Sequence, residues 1–260
     1  MHGIFRRMDA LTLILLAAVA FCAGAINAVA GGGSLISFPA LIAAGYSSKT
    51  ANVTNTVALW PGYVGGSIGY REELRAQRRR LLALLPPAVA GALVGSVILL
   101  ATPTSAFDAI VPFLILFACA VLAFQDALAS FVQTHRLGSL RDGHVPPGML
   151  AVTFVLAVYG AYFGAGMSII MLAFLGILLP DNIQRSNALK GMLALLINAI
   201  AVIYFAAFGP VRWGAAAAMA AGAICGGYVG VHFARRLSRS WLRVVVIAYG
   251  VIAAVVLLLR

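Results

Sequence analysis

Apolar residues in this chain come in runs too long and too continuous for the amphipathic helices or half-buried strands of a soluble domain. A stretch of about 20 apolar residues crosses a bilayer's hydrocarbon core. Eight segments approach that length: Ala10–Ala30, Ala51–Tyr70, Leu81–Ala101, Phe107–Ala129, Pro147–Gly164, Ala188–Phe208, Trp213–His232 and Leu242–Leu259. Two shorter runs, Leu35–Gly45 and Met167–Leu179, each follow a glycine cluster: Gly31, Gly32 and Gly33 before the first, Gly160, Gly164 and Gly166 before the second. The pattern predicts an all-α polytopic membrane protein with eight long transmembrane helices and two short helices, broken or re-entrant.

Composition agrees. Of 260 residues, 63% are hydrophobic and 10% charged, which excludes soluble enzymes and nucleic-acid binders. The net charge of +11 comes mostly from arginines set between apolar runs, the positive-inside pattern of a multi-pass inner-membrane protein rather than a nucleic-acid footprint. The three cysteines, Cys22, Cys119 and Cys225, lie in apolar runs without metal-ligand spacing and read as packing residues. The first run, though preceded by Arg6 and Arg7, continues through Gly24 to Gly33 without a signal-peptidase site and is kept as a span.

The order long, short, long, long, long occurs twice. Gly24-Ala25 matches Gly160-Ala161, Gly33-Ser34 matches the Gly-Met-Ser at 166–168, and Ala51-Asn52 matches Ser186-Asn187, all at an offset close to half the chain. The chain therefore reads as a duplicated membrane unit: residues 1–130 a first repeat, 131–146 a cytoplasmic linker, 147–260 a second repeat. With five membrane segments per half, the second half is inverted relative to the first. An outside amino terminus then puts Arg71–Arg80, Arg136–Arg141 and Arg235–Arg243 in the cytoplasm; only Arg6 and Arg7 disagree. Were the short runs re-entrant, Arg235–Arg243 would fall on the face opposite Arg71–Arg80.

Polar groups inside a bilayer are costly, so their positions point to function. Asn52, Asn55 and Tyr63 follow the first short run, and Asn187, Lys190 and Asn198 follow the second at a constant offset of 135. Spacings of 3 and 11 return to nearly one helical angle, so each set is expected to make one polar stripe on one helix. Two readings fit Lys190: it snorkels to the interface from near a helix end, or it offers a positive charge to an anion whose coordination the asparagine amides complete. Breaks at the glycine clusters would aim helix N-termini at Ser34 and Ser168 toward the membrane interior, a second anion-binding device. Gly91/Gly95 and Gly222/Gly226/Gly230 have the spacing of close helix packing instead. All seven acidic residues lie in loops or near span ends, which suits an anion substrate better than a cation.

These residues resemble a known family. AINAVAGGGSLISFPALIAAG, KTANVTNTVALWPGYVGGSIGYREELR and, in the second half, QRSNALKGMLALLINAIAVIYF are similar to the TauE/SafE sulfite exporters, the anion permeases also called TSUP. The resemblance covers nearly the whole chain and implies transport of a small sulfur-containing anion such as sulfite, thiosulfate, sulfoacetate or another organosulfonate, without choosing among them. By position it implies substrate contacts from Gly32, Gly33 and Ser34 within the Ala30–Ser34 motif, from Asn52, Asn55 and Thr56, and from Asn187, Lys190 and Asn198; Tyr63 joins them by its place in the polar stripe. The second glycine motif, GAYFGAGMS, with Gly166 and Ser168, is a looser match.

The expectation is thus a permease with no cofactor, metal or nucleic-acid partner, acting by alternating access among membrane lipids, with a homodimer open. Arg71 is a candidate cytoplasmic gate or simply a topology determinant. Trp60, Tyr63 and Tyr162 line the path or sit as interfacial aromatics. Two rivals are a passive anion channel and an intramembrane serine hydrolase using Ser34 or Ser168 with His232. The hydrolase lacks the glycine that a GxSG motif would place after either serine.

Overall fold

The structure, a computed structural model, describes residues 10–29, 32–64, 70–134, 145–179, 181–233 and 239–259. Among the described residues every regular element is helical. The first half contributes α1 (Ala10–Val29), α2 (Ser34–Ala43), α3 (Ser48–Leu59), α4 (Arg71–Ala76), α5 (Arg78–Ala101), α6 (Thr104–Ala123) and α7 (Gln125–Thr134). The second contributes α8 (Pro147–Tyr162), α9 (Met167–Leu178), α10 (Ile183–Phe208), α11 (Trp213–Phe233) and α12 (Arg239–Leu258).

Five helices among the described residues are long and apolar enough to cross a membrane: Ala10–Asn27, Arg78–Ala101, Thr104–Ala123, Gln184–Phe208 and Trp241–Leu258. Two of the eight expected long spans are shorter helices here, and a third keeps its span with a nearer end. The segment expected over Ala51–Tyr70 is a 12-residue helix that ends at Leu59. Pro61 lacks an N–H, so the helical ladder is interrupted there although Trp60 keeps helical angles (φ −53°, ψ −43°), and the chain resumes as a separate helical turn over 61–64. The segment expected over Phe107–Ala129 stops at Ala123 and resumes as α7. The span expected over Pro147–Gly164 is a 16-residue helix, about 24 Å long, cut short by the glycine turn that follows.

Both predicted glycine breaks are present. Gly32 has φ 86° immediately before α2, while Gly164 and Gly166 both have φ 79° before α9. A side chain would be strained in that left-handed region, so only glycine turns the chain there without strain. The helices after each short element are capped alike: the Ser47 side chain accepts from the Thr50 N–H at α3, and Asn182 Oδ1 accepts from the Gln184 N–H at 2.9 Å at α10. Ser47 and Asn182 are separated by the same offset of 135 as Asn52 and Asn187.

The halves hold together by exchanging partners. α1 packs along α11 and α5 along α8, so the first helix of each half lies against the third long helix of the other. α6 packs against α12. Small residues make this possible. A Cβ added at Gly222 or Gly226 would sit 2.1 and 1.9 Å from the carbonyl oxygens of Ala17 and Phe21, and one at Gly91 or Gly95 would sit 2.4 and 2.2 Å from those of Phe154 and Val158. Backbones this close gain dispersion contacts that lipid tails cannot match. Leu84, Leu99, Phe107, Ile115, Met149 and Phe205 are fully buried between the helices, while Phe113, Ile203, Tyr228 and Trp241 face outward, as side chains do against lipid.

Gly222→Ala therefore forces α1 and α11 apart and should lower the thermal unfolding midpoint of the detergent-purified protein, at an overpacking cost of about 1–3 kcal/mol. Gly214→Ala on the same helix meets nothing within 4 Å and should leave the midpoint unchanged or slightly raised.

Candidate functional site

The first glycine turn is pinned by a residue that the sequence pattern did not single out. Asn27, near the end of α1, accepts the Gly33 N–H on Oδ1 at 3.3 Å and is hydrogen-bonded to the Tyr63 hydroxyl. Gly33 lies against α1 itself, where a Cβ would stand 2.2 Å from the Ala23 carbonyl oxygen. Its amide is thus engaged within the protein. A lone amide inside an apolar span, shortly before a glycine cluster, was the available signal for Asn27. Ser34 and Ser168 open α2 and α9 and are both half-buried. Their first turns close on glycine carbonyls: Leu35 N–H on Gly32 O at 2.9 Å, and Ile169 N–H on Gly166 O at 3.0 Å. Gly31 lies outside the described residues.

On α3, Asn52 and Asn55 are buried, with 2% and 4% exposure. Asn52 Nδ2 donates to the Tyr162 carbonyl at 2.8 Å, a bond from the first half to the end of α8 in the second. Thr56 Oγ1 donates to its own helix at Asn52 O. Asn55 Oδ1 is buried without a hydrogen-bond partner. Since α3 ends at Leu59, Tyr63 is not on the same helix as Asn52 and Asn55, so the expected stripe in this half is broken at Trp60. In the second half, Asn187, Lys190 and Asn198 do share one helix, α10. Lys190 Nζ donates to Asn187 Oδ1 at 3.3 Å, and Asn198 Nδ2 donates to Ala194 O on its own helix at 2.8 Å.

The two lysines have separate surroundings. Lys49 Nζ donates to the carbonyls of Leu100, at 3.1 Å, and Thr102, neutralising the negative end of α5. Lys190 is half-buried, about 9 Å along the Gln184–Phe208 span, and among the described residues no carboxylate pairs with it.

Contacts of α3 and the chain after it with α10 and the chain after that fix the register of the centre. Thr54 Oγ1 accepts the Arg212 N–H at 3.1 Å, Val53 lies beside Gly209, Trp60 Nε1 donates to Leu195 O at 3.3 Å, and Tyr70 and Gln77 bond Gln184 and Arg185. As numbers rise in the first half they fall in the second, so the helices cross antiparallel at Trp60 and Leu195. Tyr63 and Asn198 lie three positions from that crossing, Asn55 and Lys190 five, Asn52 and Asn187 eight. The structure therefore does not gather Asn52, Asn187 and Lys190 at one point. Asn52 lies on one side of the crossing and the Asn187–Lys190 pair on the other, about 20 Å apart at 1.5 Å per residue.

At the arginine-rich end, Arg71 is exposed at the start of α4. Arg80, by contrast, is buried and paired with Asp181 at 2.6 Å. Tyr162 packs its ring edge-on against Phe107. The His232 side chain lies outside the described residues, so the serine hydrolase geometry has no base to measure. Among the described residues no group of three His, Cys, Asp or Glu side chains is placed to hold a metal.

Because Lys49 serves a helix end and not the centre, Lys49→Met should lower stability by about 1.5–3 kcal/mol, the contribution of a charged hydrogen bond, and leave anion binding intact. Thermal unfolding with and without ligand separates the two effects.

Comparison with known proteins gives this architecture its context. Residues 16–257 match the family described as Sulfite exporter TauE/SafE. A probable membrane transporter protein of Haemophilus influenzae is 27% identical over 235 residues, covering 90% of each chain. Probable membrane transporter protein ORF9 of a Sinorhizobium species is 27% identical over 225 residues, 85% of this chain and 83% of the relative. Probable membrane transporter protein YfcA of Escherichia coli K12 is 25% identical over 244 residues, 91% and 86% of the two chains. No solved structure matches the chain. The family and the names of these relatives point to a membrane transporter and not to an enzyme. With nearly its whole length matched and its helices long and apolar enough to cross a membrane several times, the chain belongs to the TauE/SafE sulfite exporter family of membrane transporters.

Proposed function

We propose that the chain is a secondary transporter moving a small sulfur-containing anion, such as sulfite or an organosulfonate, across the bacterial inner membrane by alternating access. Residues 1–130 and 147–260 form two halves of inverted topology joined by a cytoplasmic linker. Several features support the inversion: the exchanged helix partners, the glycine breaks and caps at one offset, and a central contact, Trp60 to Leu195, between positions that are themselves equivalent in the two halves. Residues related by a two-fold axis meet each other only on that axis. The arginines agree as well, since Arg71, Arg80, Arg185 and Arg243 gather at the end of the bundle opposite Lys49 and Thr102.

The observation that carries the anion reading is Lys190. An ammonium inside a span costs roughly 2.5–3.5 kcal/mol on insertion scales unless it finds a partner or water, and here its protein partner is a neutral amide. Asn55, the equivalent position in the first half, is likewise buried with one amide edge unpaired; a flip of that amide presents N–H donors at the same place. Asn55, Tyr63, Lys190 and Asn198 flank the crossing and form the inner site, with Ser34, Ser168 and the turns at Gly32, Gly33 and Gly166 at the broken helix ends. Asn52 and Asn187 lie farther out and, with Thr56 bonded to Asn52 O, hold these groups in place. Arg71 draws anions to the cytoplasmic mouth.

Ligand that binds only the folded state raises its unfolding temperature by mass action. Sulfite, thiosulfate, sulfoacetate and isethionate should give distinct shifts with the purified protein, and Lys190→Ala should abolish the largest while the unliganded variant still folds. An undiminished shift in Lys190→Ala removes the lysine from the site. Counterflow in proteoliposomes distinguishes a carrier from a passive anion channel.

A further inference from the structure

The two ends of the bundle are closed by unequal contacts between the halves. At the arginine-rich end, Asp181, just before α10, accepts from Arg80 Nη1 at 2.6 Å on one oxygen and from Arg185 Nη1 at 3.4 Å on the other. Arg80 and Asp181 are only 9% and 16% exposed. Beside them Gln77 Nε2 bonds both Glu73 O and Arg185 O, at 3.2 and 3.0 Å, and Tyr70 OH donates to Gln184 Oε1 at 3.4 Å. Tyr70, Gln77 and Arg80 all meet residues 181–185, so together they close the seam between the halves just below Asn187 and Lys190.

The opposite end carries the counterparts. The repeat equivalents of Asp181 and Gln77 are Tyr46 and Arg212. There the Arg212 guanidinium stands 5.9 Å from the Tyr46 ring centroid, and its backbone N–H bonds Thr54 Oγ1 at 3.1 Å. Arg212 is exposed. A cation–π contact at an exposed arginine and neutral hydrogen bonds, Arg212 N–H to Thr54 here and Asn52 to the Tyr162 carbonyl nearby, hold less firmly than a largely buried arginine–carboxylate pair at 2.6 Å backed by a second guanidinium.

We propose that Arg80, Asp181 and Arg185 form the latch of the cytoplasmic gate, and that its strength over the Tyr46–Arg212 contact sets the resting state closed to the cytoplasm and readier to open outward. This rests on the alternating-access reading above. The seam is built to release: Gln77 Oε1 is buried with no partner, so the closed state leaves one polar atom unsatisfied that opening would hydrate. Breaking one member of a buried pair strands the other's charge away from water, which drives that side chain toward solvent and the seam apart.

Ser186, buried between the latch and Lys190, reports on the seam. In a background with Cys22, Cys119 and Cys225 replaced by alanine, Ser186→Cys should react slowly with a small maleimide. Adding Asp181→Asn should raise its alkylation rate at least 10-fold, and the exchange Arg80→Asp with Asp181→Arg should return it to within about 2-fold of the parent. Arg243→Gln, which removes a pair to Asp126 away from the seam, should leave the rate unchanged. An unaltered rate in Asp181→Asn, or an equal rise in Arg243→Gln, overturns the latch. Should Asp181→Asn fail to fold, the exchanged pair decides alone: slow alkylation supports the proposal and fast alkylation contradicts it. The rate is read without any anion, so a failure of anion binding would refute the transport reading and leave this result standing.

Discussion

Everything at the centre of this protein depends on two helices crossing antiparallel inside the membrane, with the Trp60 indole bonded to the Leu195 carbonyl. Neither α3 nor α10 suits contact with lipid along its whole length. One is a 12-residue helix ending at Leu59 and carries two buried amides; the other carries a lysine. In hydrocarbon an unmet backbone or side-chain polar group costs several kcal/mol, so such elements are tolerated only where protein or a hydrated cavity surrounds them. The crossing supplies that enclosure, and the remaining helices form the wall around it.

The wall is assembled by proximity more than by polarity. Glycines on α5 and α11 let backbones approach until a single methyl group would collide with a carbonyl. Most polar side chains settle close to home: Ser96 and Thr153 bond carbonyls one turn back in their own helices, and Lys49 serves the end of α5. Two groups stand apart: Asn55 Oδ1, buried without a partner among the described residues, and Lys190, whose charge meets a neutral amide. These groups are where the proposed transport would find donors for an anion, and the proposed latch at the arginine-rich end would lie on the route to the cytoplasm.

Much of this could be read from the residues. Run lengths gave the membrane class, glycine clusters gave both breaks, and small-residue spacings marked one helix in each of two close-packed pairs without naming its partner. Three features were hidden. Pro61 ends α3, but a proline in an apolar run does not announce whether a helix kinks or stops. Asn27 escaped notice because its repeat equivalent is Tyr162, which engages through its backbone carbonyl rather than its side chain, so no matching amide marked the position. The third is a matter of geometry. A constant offset pairs Asn52 with Asn187, and that pairing suggested proximity. In an antiparallel crossing, equivalent residues lie on opposite sides of the axis, and only those at the axis itself, Trp60 and Leu195, touch.

That distinction can be measured with paired cysteines in the cysteine-free background. A Cβ at Gly209 would stand 3.1 Å from Val53 Cγ1, within the range a disulfide needs. Val53→Cys with Gly209→Cys should cross-link rapidly under mild oxidation, and Asn52→Cys with Asn187→Cys should not. Efficient cross-linking of the second pair and none of the first would mean that the helices run parallel, and would contradict an antiparallel centre.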